Sequence, residues 1–470
     1  MQTESYVLGM VGLGVMGRNL MLNMADHGFP VAGYDKDTTK VDQLNKETTK
    51  GTVKGYVALP EFINSLKKPR AVMLLVPAGK IVDSAIAEIS PLLDAGDLII
   101  DGGNSHFNDT NRRVEELKAK GLHFFGMGVS GGEEGARNGP SMMPGGDPNA
   151  YKVVQPIFEA IAAKVNGDPC VTYIGPGAAG NFVKMVHNGI EYGLMQVLAE
   201  TYEIMNKGLG LTGEQIHAEF KKWNEGRLQS FLIEITRDIF AYKAPGSNHL
   251  LVDDIKDEAK SKGTGKWTSQ VAMDLQLPIT LIDTAVSMRD LSKYKALREQ
   301  AAALYAGNDV RLNDKDQVLK SLEASLYFTT VIAYAQGMHL LSQASKEYGY
   351  ELKLDQIALI WRGGCIIRSK FLQEIYEAYK TNNKLEHLLL DAGIAKNVKE
   401  ALGGMRQLVS AASASGLAIP AYSASLSYFD TFRSGRMPSN LIQAQRDFFG
   451  AHTYELTGKE GVFHTQWTTK

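Results

Sequence analysis

Short apolar runs alternate with amphipathic stretches over the first third of the chain. The runs YVLGMVG, PVAGYD, AVMLLVP, DLIIDGG, HFFGMGVS and VTYIG predict strands, with helix-like segments such as RNLMLNMADHG and NDTNRRVEELKAKG between them. The second of these helices opens on Asn and Asp and closes on Gly, as helix ends prefer. Strands alternating with helices imply a mostly parallel, doubly wound sheet. From about Gly177 the texture changes. No glycine falls between Gly265 and Gly307, and the stretch from Thr268 to Ala306 reads as helix with few interruptions. The first helix of this region is expected from near Ala178 to Asn206, closed by KGLG. The expected fold is α/β plus all-α: a doubly wound domain over 1–177, a helical domain over 178–433 and a tail over 434–470.

The helical region carries a repeat. EQIHAEFKKWNEGRLQSFLIEI, from Glu214, aligns with DQIALIWRGGCIIRSKFLQEI, from Asp355. Gln215 matches Gln356, Ile216 matches Ile357, and Phe231-Leu232 matches Phe371-Leu372, an offset of 140 to 141 residues. Ahead of the first copy, KMVHNGIEYG sets Lys184, Asn188 and Glu191 within roughly 60° of one another on an otherwise apolar helix. A solvated face bearing a weak charge pair is the competing reading of that stripe. Shifted by 141 residues, however, the three positions become Ser325, Thr329 and Ile332. A scaffold alone does not demand the stripe.

Composition narrows the classes. With 470 residues, 44% hydrophobic and 22% charged, the chain is globular and long enough for two or three domains. A net charge of −2 gives no electrostatic footprint for nucleic acid or an acidic membrane. Cys170 and Cys365 stand far apart without metal-ligand spacing, as expected of two plain thiols in a reducing compartment. The N-terminal stretch lacks a leader pattern and no window is apolar enough to span a bilayer, so the cytoplasm is the expected location. The tail is aromatic-rich, with Phe448, Phe449, Tyr454, Phe463 and Trp467, which implies burial against the chain itself or a partner subunit.

Candidate chemistry begins at GLGVMG. Gly12, Gly14 and Gly17, with Leu13, Val15 and Met16 between them, follow an apolar strand and open a helix. Gly12 permits the tight turn, Gly14 lets a pyrophosphate approach the backbone, and Gly17 lets helix and strand pack closely. This is a Rossmann-type dinucleotide site. Asp35 ends the next strand, where a carboxylate accepts from ribose hydroxyls and repels a 2′-phosphate; Asp37 adds charge of the same sign and Lys36 offsets part of it. These residues lean towards NAD over NADP. Asn104 and the Ser130-Gly131-Gly132 turn follow strand-like runs, where ligands bind in parallel sheets. Eight glycines from Gly126 to Gly146 suggest either backbone N–H groups facing an anion or a flexible surface loop. Lys260, Lys262 and Lys266 surround a Gly-Thr-Gly turn that is no Walker A loop; it holds a phosphate or is simply solvated.

Taken together, DGGNS, GVSGGEEGAR with GPS and MPGG, VKMVHNGIEYG, KGTGKWT, IALIWRGGCIIRS and NLIQAQRDFFGAHTYE closely resemble the 6-phosphogluconate dehydrogenase family of the pentose phosphate pathway. The resemblance runs through nearly the whole chain. It implies a nicotinamide-binding domain, a large helical domain and a tail threading into the other subunit of a homodimer. It implies oxidative decarboxylation of 6-phosphogluconate to ribulose 5-phosphate without a metal. Lys184 would be the base and then the acid, and Glu191 the final proton donor. Asn104, Ser130, Gly131, Gly132, His187 and Asn188 would line the sugar-acid end. Tyr192, Lys262, Thr264 and Arg289 would hold the phosphate, with Arg446 and His452 reaching in from the partner. Gly12, Leu13, Gly14, Val15, Met16, Gly17, Asp35, Lys36, Asp37, Val76, Pro77, Ala78 and Asn104 would meet the dinucleotide.

Two departures from the family pattern bear on the cofactor. NADP-using members commonly carry Asn-Arg-Thr where this chain has Asp35-Lys36-Asp37, and many carry lysine where Pro77 stands. Two rival readings remain: a related β-hydroxyacid dehydrogenase acting on another acid, and a non-catalytic dinucleotide-binding regulatory protein. The first would not need Lys262, Arg289 and Arg446 together; the second would need neither Lys184 nor Glu191.

Overall fold

The computed structural model describes residues 5–47, 49–305, 307 and 311–468; the first four residues of the stretch read for a leader lie outside them. Its N-terminal strands are β1 (Leu8–Val11), β2 (Val31–Tyr34), β3 (Val53–Tyr56), β4 (Ala71–Leu74), β5 (Leu98–Asp101), β6 (His123–Ser130) and β7 (Ser141–Gly146). They form one sheet in the order β3-β2-β1-β4-β5-β6-β7. The first six run parallel, and β7 returns antiparallel to β6. Strand order reverses between β1 and β4, which opens a crevice beyond their carboxyl ends. Apolar side chains bury on both faces of the sheet.

Two segments differ from the sequence pattern. VTYIG forms no strand; it touches β7 through isolated bridges at Val171 and Gly175. Pro144 lies opposite and has no N–H with which to continue a ladder. SMMPGG, inside the stretch read as glycine-rich loop, is instead β7 and buried throughout. A strand covered on both faces shows no alternation to read. The edge strand β3, VKGY, is also absent from the apolar pattern because only one of its four residues is buried.

The helical region starts with a 25-residue helix, Ala179–Glu203, which continues as a π turn over Ile204–Gly208. It packs on a 34-residue helix, Lys315–Tyr348. The stretch read as helix from Thr268 to Ala306, whose last residue lies outside the described residues, falls in three helices, Thr264–Asp274, Thr280–Ser292 and Lys295–Leu304, the first break spanning residues 275–279 around Pro278. Duplication is visible in space. Gly213–Asn224 and Phe231–Ile239 follow the first long helix as Leu354–Trp361 and Phe371–Thr381 follow the second. The copies pair across a bridge, where the Phe231 N–H donates to the Arg368 carbonyl at 3.0 Å and the Lys370 N–H to the Gln229 carbonyl at 2.9 Å. Each long helix also closes a helix start: Gln336 accepts the Leu281 N–H at 3.1 Å, and Glu200 accepts the Ala421 N–H at 2.8 Å.

The tail forms a helix, Ser439–Gly450, and a hairpin of strands Tyr454–Leu456 and Lys459–Phe463. Phe448 and Phe449 are 58% and 72% exposed, so the body of this chain does not bury them. None of the described helices is long and apolar enough to cross a membrane.

Candidate active site

The loops that leave β1, β4, β5 and β6 all emerge at one edge of the sheet, because those strands run parallel. The loop after β1 is the glycine motif. Gly12 has φ +99°, and a Cβ there would meet the Leu75 carbonyl oxygen at 2.5 Å; one on Gly17 would meet the Gly12 oxygen at 2.0 Å. Nothing stands within 4 Å of the same point on Gly14, the N-cap of the Val15–Asp26 helix. The helix start is therefore bare, with its N–H groups free to meet a phosphate. This fits a dinucleotide. Asp35 fixes the motif from the next strand: its carboxylate accepts the Leu13 N–H at 2.8 Å and the Asp37 N–H at 2.9 Å.

A cavity of about 190 Å³ adjoins this loop, lined by Gly12, Tyr34, Asp35, Lys36, Val76 and Glu88 among others. Pro77 and Ala78 lie just beyond Val76. Lys36 reaches across the cavity mouth to Glu88 at 2.7 Å, and Lys40 lies 3.5 Å from Asp35. Both cations nearest the expected ribose site thus already face carboxylates.

The second half of the crevice is floored by the Ala179–Glu203 helix. Its seating on the sheet depends on glycine. A Cβ on Gly128 of β6 would meet Lys184 Cβ at 2.4 Å, and one on Gly180 would meet the Met143 oxygen at 2.2 Å. Gly126, Gly128 and Gly145 therefore serve close helix–sheet approach and Gly146 closes on Phe125 of β6, so the run is neither a set of anion-facing N–H groups throughout nor a flexible surface loop. At the end of β6, Ser130 meets the helix directly, its hydroxyl lying 3.3 Å from His187 Nε2, and Gly131 and Gly132 follow it.

Lys184 and Asn188 are buried, at 6% and 8% exposure, so the stripe is not a solvated face. Lys184 Nζ lies 3.3 Å from His187 Nδ1, which in turn lies 3.1 Å from Asn188 Oδ1. The other ring nitrogen of His187 hydrogen-bonds Ser130 at 3.3 Å, and the Asn188 amide donates to Thr264 at 3.2 Å. Glu191 Oε2 lies 3.8 Å from His187 Nδ1. Burial pulls the Lys184 ammonium below its ordinary value, against the opposing charge of Glu191. Burial, then the charge of Lys184, holds His187 well below its usual range, so its ring is neutral. Burial raises the Glu191 carboxyl against the opposing pull of Lys184 and Arg289. Behind them the Cys365 thiol is pushed up to about 12 by burial and stays protonated. One helix thus presents an amine biased to its free-base form and a carboxyl biased to its acid form.

One turn further on, Tyr192 packs against Gly265, and the Arg289 guanidinium lies 3.6 Å from the Tyr192 ring centroid. Thr264 begins the Thr264–Asp274 helix, and exposed Lys262 precedes it. Helix start, arginine and lysine together form a cationic end to the crevice.

Sequence reasoning missed the supports of this site. The buried Asp101 carboxylate accepts the Gly103 N–H at 3.0 Å and the Ser105 hydroxyl at 2.5 Å, shaping the loop that exposes Asn104. Asn181 ties that loop to the long helix through the Gly103 carbonyl at 3.5 Å and Thr110 at 3.0 Å. The Gly364 carbonyl, from the second repeat, accepts the Ser141 N–H at 2.8 Å behind the Ser130 turn. Asp101 is visible in the sequence as the last residue of a strand; Asn181 and Gly364 give no local signal. Arg446 and His452 are not brought to this cluster. Their partners lie in the tail, Arg446 with Gln443 at 3.3 Å and His452 beside the Phe449 ring. Among the described residues, no three His, Cys, Asp or Glu side chains gather as a metal site.

Comparison with known proteins converges on the same assignment. Residues 7–175 match the model of the NAD binding domain of 6-phosphogluconate dehydrogenase, and residues 180–467 match that of its C-terminal domain. The chain is 48% identical over 462 residues to the NADP(+)-dependent, decarboxylating 6-phosphogluconate dehydrogenase of Bacillus subtilis, covering 98% of each chain. It is 50% identical over 458 residues to the decarboxylating enzyme of Schizosaccharomyces pombe, covering 97% of this chain and 93% of that one. The solved 6-phosphogluconate dehydrogenase of Plasmodium falciparum, studied with NADP+ and with 6-phosphogluconate, superposes with a TM-score of 0.95 at 45% identity. That match covers 98% of this chain and 100% of the other. By both domains and along nearly its full length, this chain belongs to the 6-phosphogluconate dehydrogenase family.

Proposed function

We propose that this chain catalyses oxidative decarboxylation of 6-phosphogluconate to ribulose 5-phosphate and CO2. The observation that carries the reading is the pairing of buried Lys184, lowered towards its free base, with Glu191, raised towards its acid, on one helix face. A nicotinamide dinucleotide, when bound at the glycine motif, supplies the hydride acceptor. Lys184 takes the proton of the substrate's 3-hydroxyl as C3 is oxidised. The protonated amine then hydrogen-bonds the new carbonyl oxygen and stabilises the enediol that forms as CO2 departs. Glu191 gives its proton to the carbon that becomes C1 of the product. His187, neutral and bonded to Ser130 and Asn188, orients the sugar acid. Asn104, Gly131 and Gly132 line that end, while Tyr192, Lys262, Thr264 and Arg289 receive the phosphate. No step calls for a metal, because the β-keto group is itself the electron sink.

The same reading assigns residues 434–470 to the partner subunit of a homodimer, with Arg446 and His452 completing its site. Residues 1–177 would bind the dinucleotide and 178–433 the substrate. Purified protein given 6-phosphogluconate and either dinucleotide should reduce the nicotinamide and release CO2 in equal amounts. Silence with both would end the assignment. Preference for NAD is supported by the charges lining the ribose cavity: Asp35 and Glu88 against Lys36 alone, itself paired. A 2′-phosphate would add negative charge to a site already negative. We therefore expect higher kcat/KM with NAD; tenfold better use of NADP would refute that preference.

A further inference from the structure

Asp447 is the one buried residue of the Ser439–Gly450 helix. Its neighbours Phe448 and Phe449 are exposed, as are Leu441 and Ile442. A carboxylate at the centre of an otherwise exposed arm requires donors, and Asp447 has four. Its Oδ1 accepts the Thr453 N–H at 3.0 Å and the His464 ring at 2.9 Å. Its Oδ2 accepts the Thr465 N–H at 3.0 Å and the Trp467 indole N–H at 2.8 Å. These donors come from the turn after the helix and from the chain leaving the hairpin, so one side chain ties three segments together. Gln443 adds a parallel link, donating to the Thr453 carbonyl at 2.6 Å and accepting from Arg446 at 3.3 Å. Burial works against ionisation of Asp447, but the donors prevail and hold the carboxyl well below its usual range.

The geometry points to Asp447 as a positioning residue: it prefolds the tail into a rigid arm that presents Arg446 and His452 together to the partner subunit's substrate site. Arg446 precedes Asp447 on the helix, and His452 precedes Thr453, whose N–H Asp447 holds. Among the described residues the carboxylate's donors are Thr453, His464, Thr465 and Trp467, not Arg446 or His452, so Asp447 acts on those two through the backbone. An arm ordered in advance loses less conformational freedom on docking and on binding substrate than a coil would. The inference rests on the shared-site reading above.

The test uses the full-length enzyme. Asp447→Asn keeps the shape but turns an amide N–H towards the Thr465 or Trp467 donors. We expect KM for 6-phosphogluconate to rise at least tenfold while KM for the dinucleotide stays within twofold and the dimer persists. Unchanged substrate KM would overturn the role. The sharper readout is complementation. Heterodimers of Lys184→Ala with Asp447→Asn, isolated by two different tags, contain one site with both an intact lysine and an intact partner arm. They should recover about half of wild-type activity, since a two-fold dimer has two equivalent sites. Heterodimers no more active than the parental variants would show that Asp447 serves only its own chain's fold. Lys184→Ala paired with Arg446→Ala separates the premises. If that pair fails to complement, the shared site falls and the proposal with it; if it complements and the Asp447 pair does not, only the positioning role falls. Should Asp447→Asn fail to fold, Trp467→Phe removes a single donor and should raise the substrate KM by a smaller factor; an unchanged KM there would likewise count against the role.

Discussion

The two long helices, Ala179–Glu203 and Lys315–Tyr348, open the two copies of one duplicated unit, yet they are furnished differently. The first places Lys184, His187 and Asn188 in its buried set, bonded in a chain that reaches Ser130 and Thr264. At the positions offset by 141 residues from Lys184, Asn188 and Glu191, the second buries Ser325, Thr329 and Ile332. Ser325 merely bonds back to the Ser321 carbonyl at 2.6 Å, and the Thr329 hydroxyl has no hydrogen-bond partner among the described residues. The scaffold therefore accepts either set. A buried amine beside a buried imidazole opposes stability, because each charged form is desolvated. Its presence on one helix alone supports the proposed assignment of the chemistry to that helix.

The widest gap between the copies should appear in turnover. Lys184→Ala should lower kcat by about 10³- to 10⁴-fold, whereas Thr329→Val should leave kcat within about twofold, as expected of a position remote from chemistry; steady-state rates read both. Gly128→Ala comes next. Its Cβ would press on Lys184 Cβ and Cγ, at 2.4 and 2.9 Å, and should destabilise the fold by about 1–3 kcal/mol while lowering kcat. Gly337→Ala, on the second helix, would instead meet the end of the Ile190 side chain at 2.4 Å, so a loss of thermal stability with kcat preserved is expected there.

A third contrast is in pH. Glu200, on the first helix, is pushed up by burial to about 7 from 4.5, although the Gln196 amide and the Ala421 and Tyr422 N–H groups favour its ionised form. The folded state thus holds a proton that the unfolded chain releases. This contribution is complete below pH 4.5 and is lost as pH rises through about 7. Chemical unfolding at several pH values should show stability falling across that window by up to about 3 kcal/mol, a slope that Glu200→Gln removes. Gln336, doing the corresponding capping from the second helix, has no proton to lose. The smallest effect belongs to Thr329→Val. Replacing an unpaired buried hydroxyl should raise stability by about 1 kcal/mol, seen as a modest rise in Tm.

Legibility followed the range of the interaction. Gly12, Gly14, Gly17 and Asp35 act within one βαβ unit, and their spacing, set between an apolar strand and a helix start, is enough to point to the dinucleotide site. Lys184, Asn188 and Glu191 share a helix face, so their stripe could be read, although their roles came from family resemblance. The Lys36–Glu88 pair, the bond from Asn181 to the Gly103 carbonyl and the support from Gly364 join segments far apart in sequence. Nothing local predicts such contacts. The strand β7 was hidden for another reason: its composition is that of a loop, and the long helix packed on it is what calls for glycine there.

The contact between Gly128 and Lys184 has an implication for how this family diversifies. Lys184 is gauged against main chain, and main chain moves less under substitution than side-chain packing does. Exchange of apolar residues on either face of the sheet then leaves the proton-transfer centre where it was. Charges around Asp35 and Glu88 belong to a different edge of the crevice and can be rewritten on their own. On the roles proposed above, coenzyme choice and carbon chemistry are separately heritable, and a lineage can revise its redox currency without relearning its reaction.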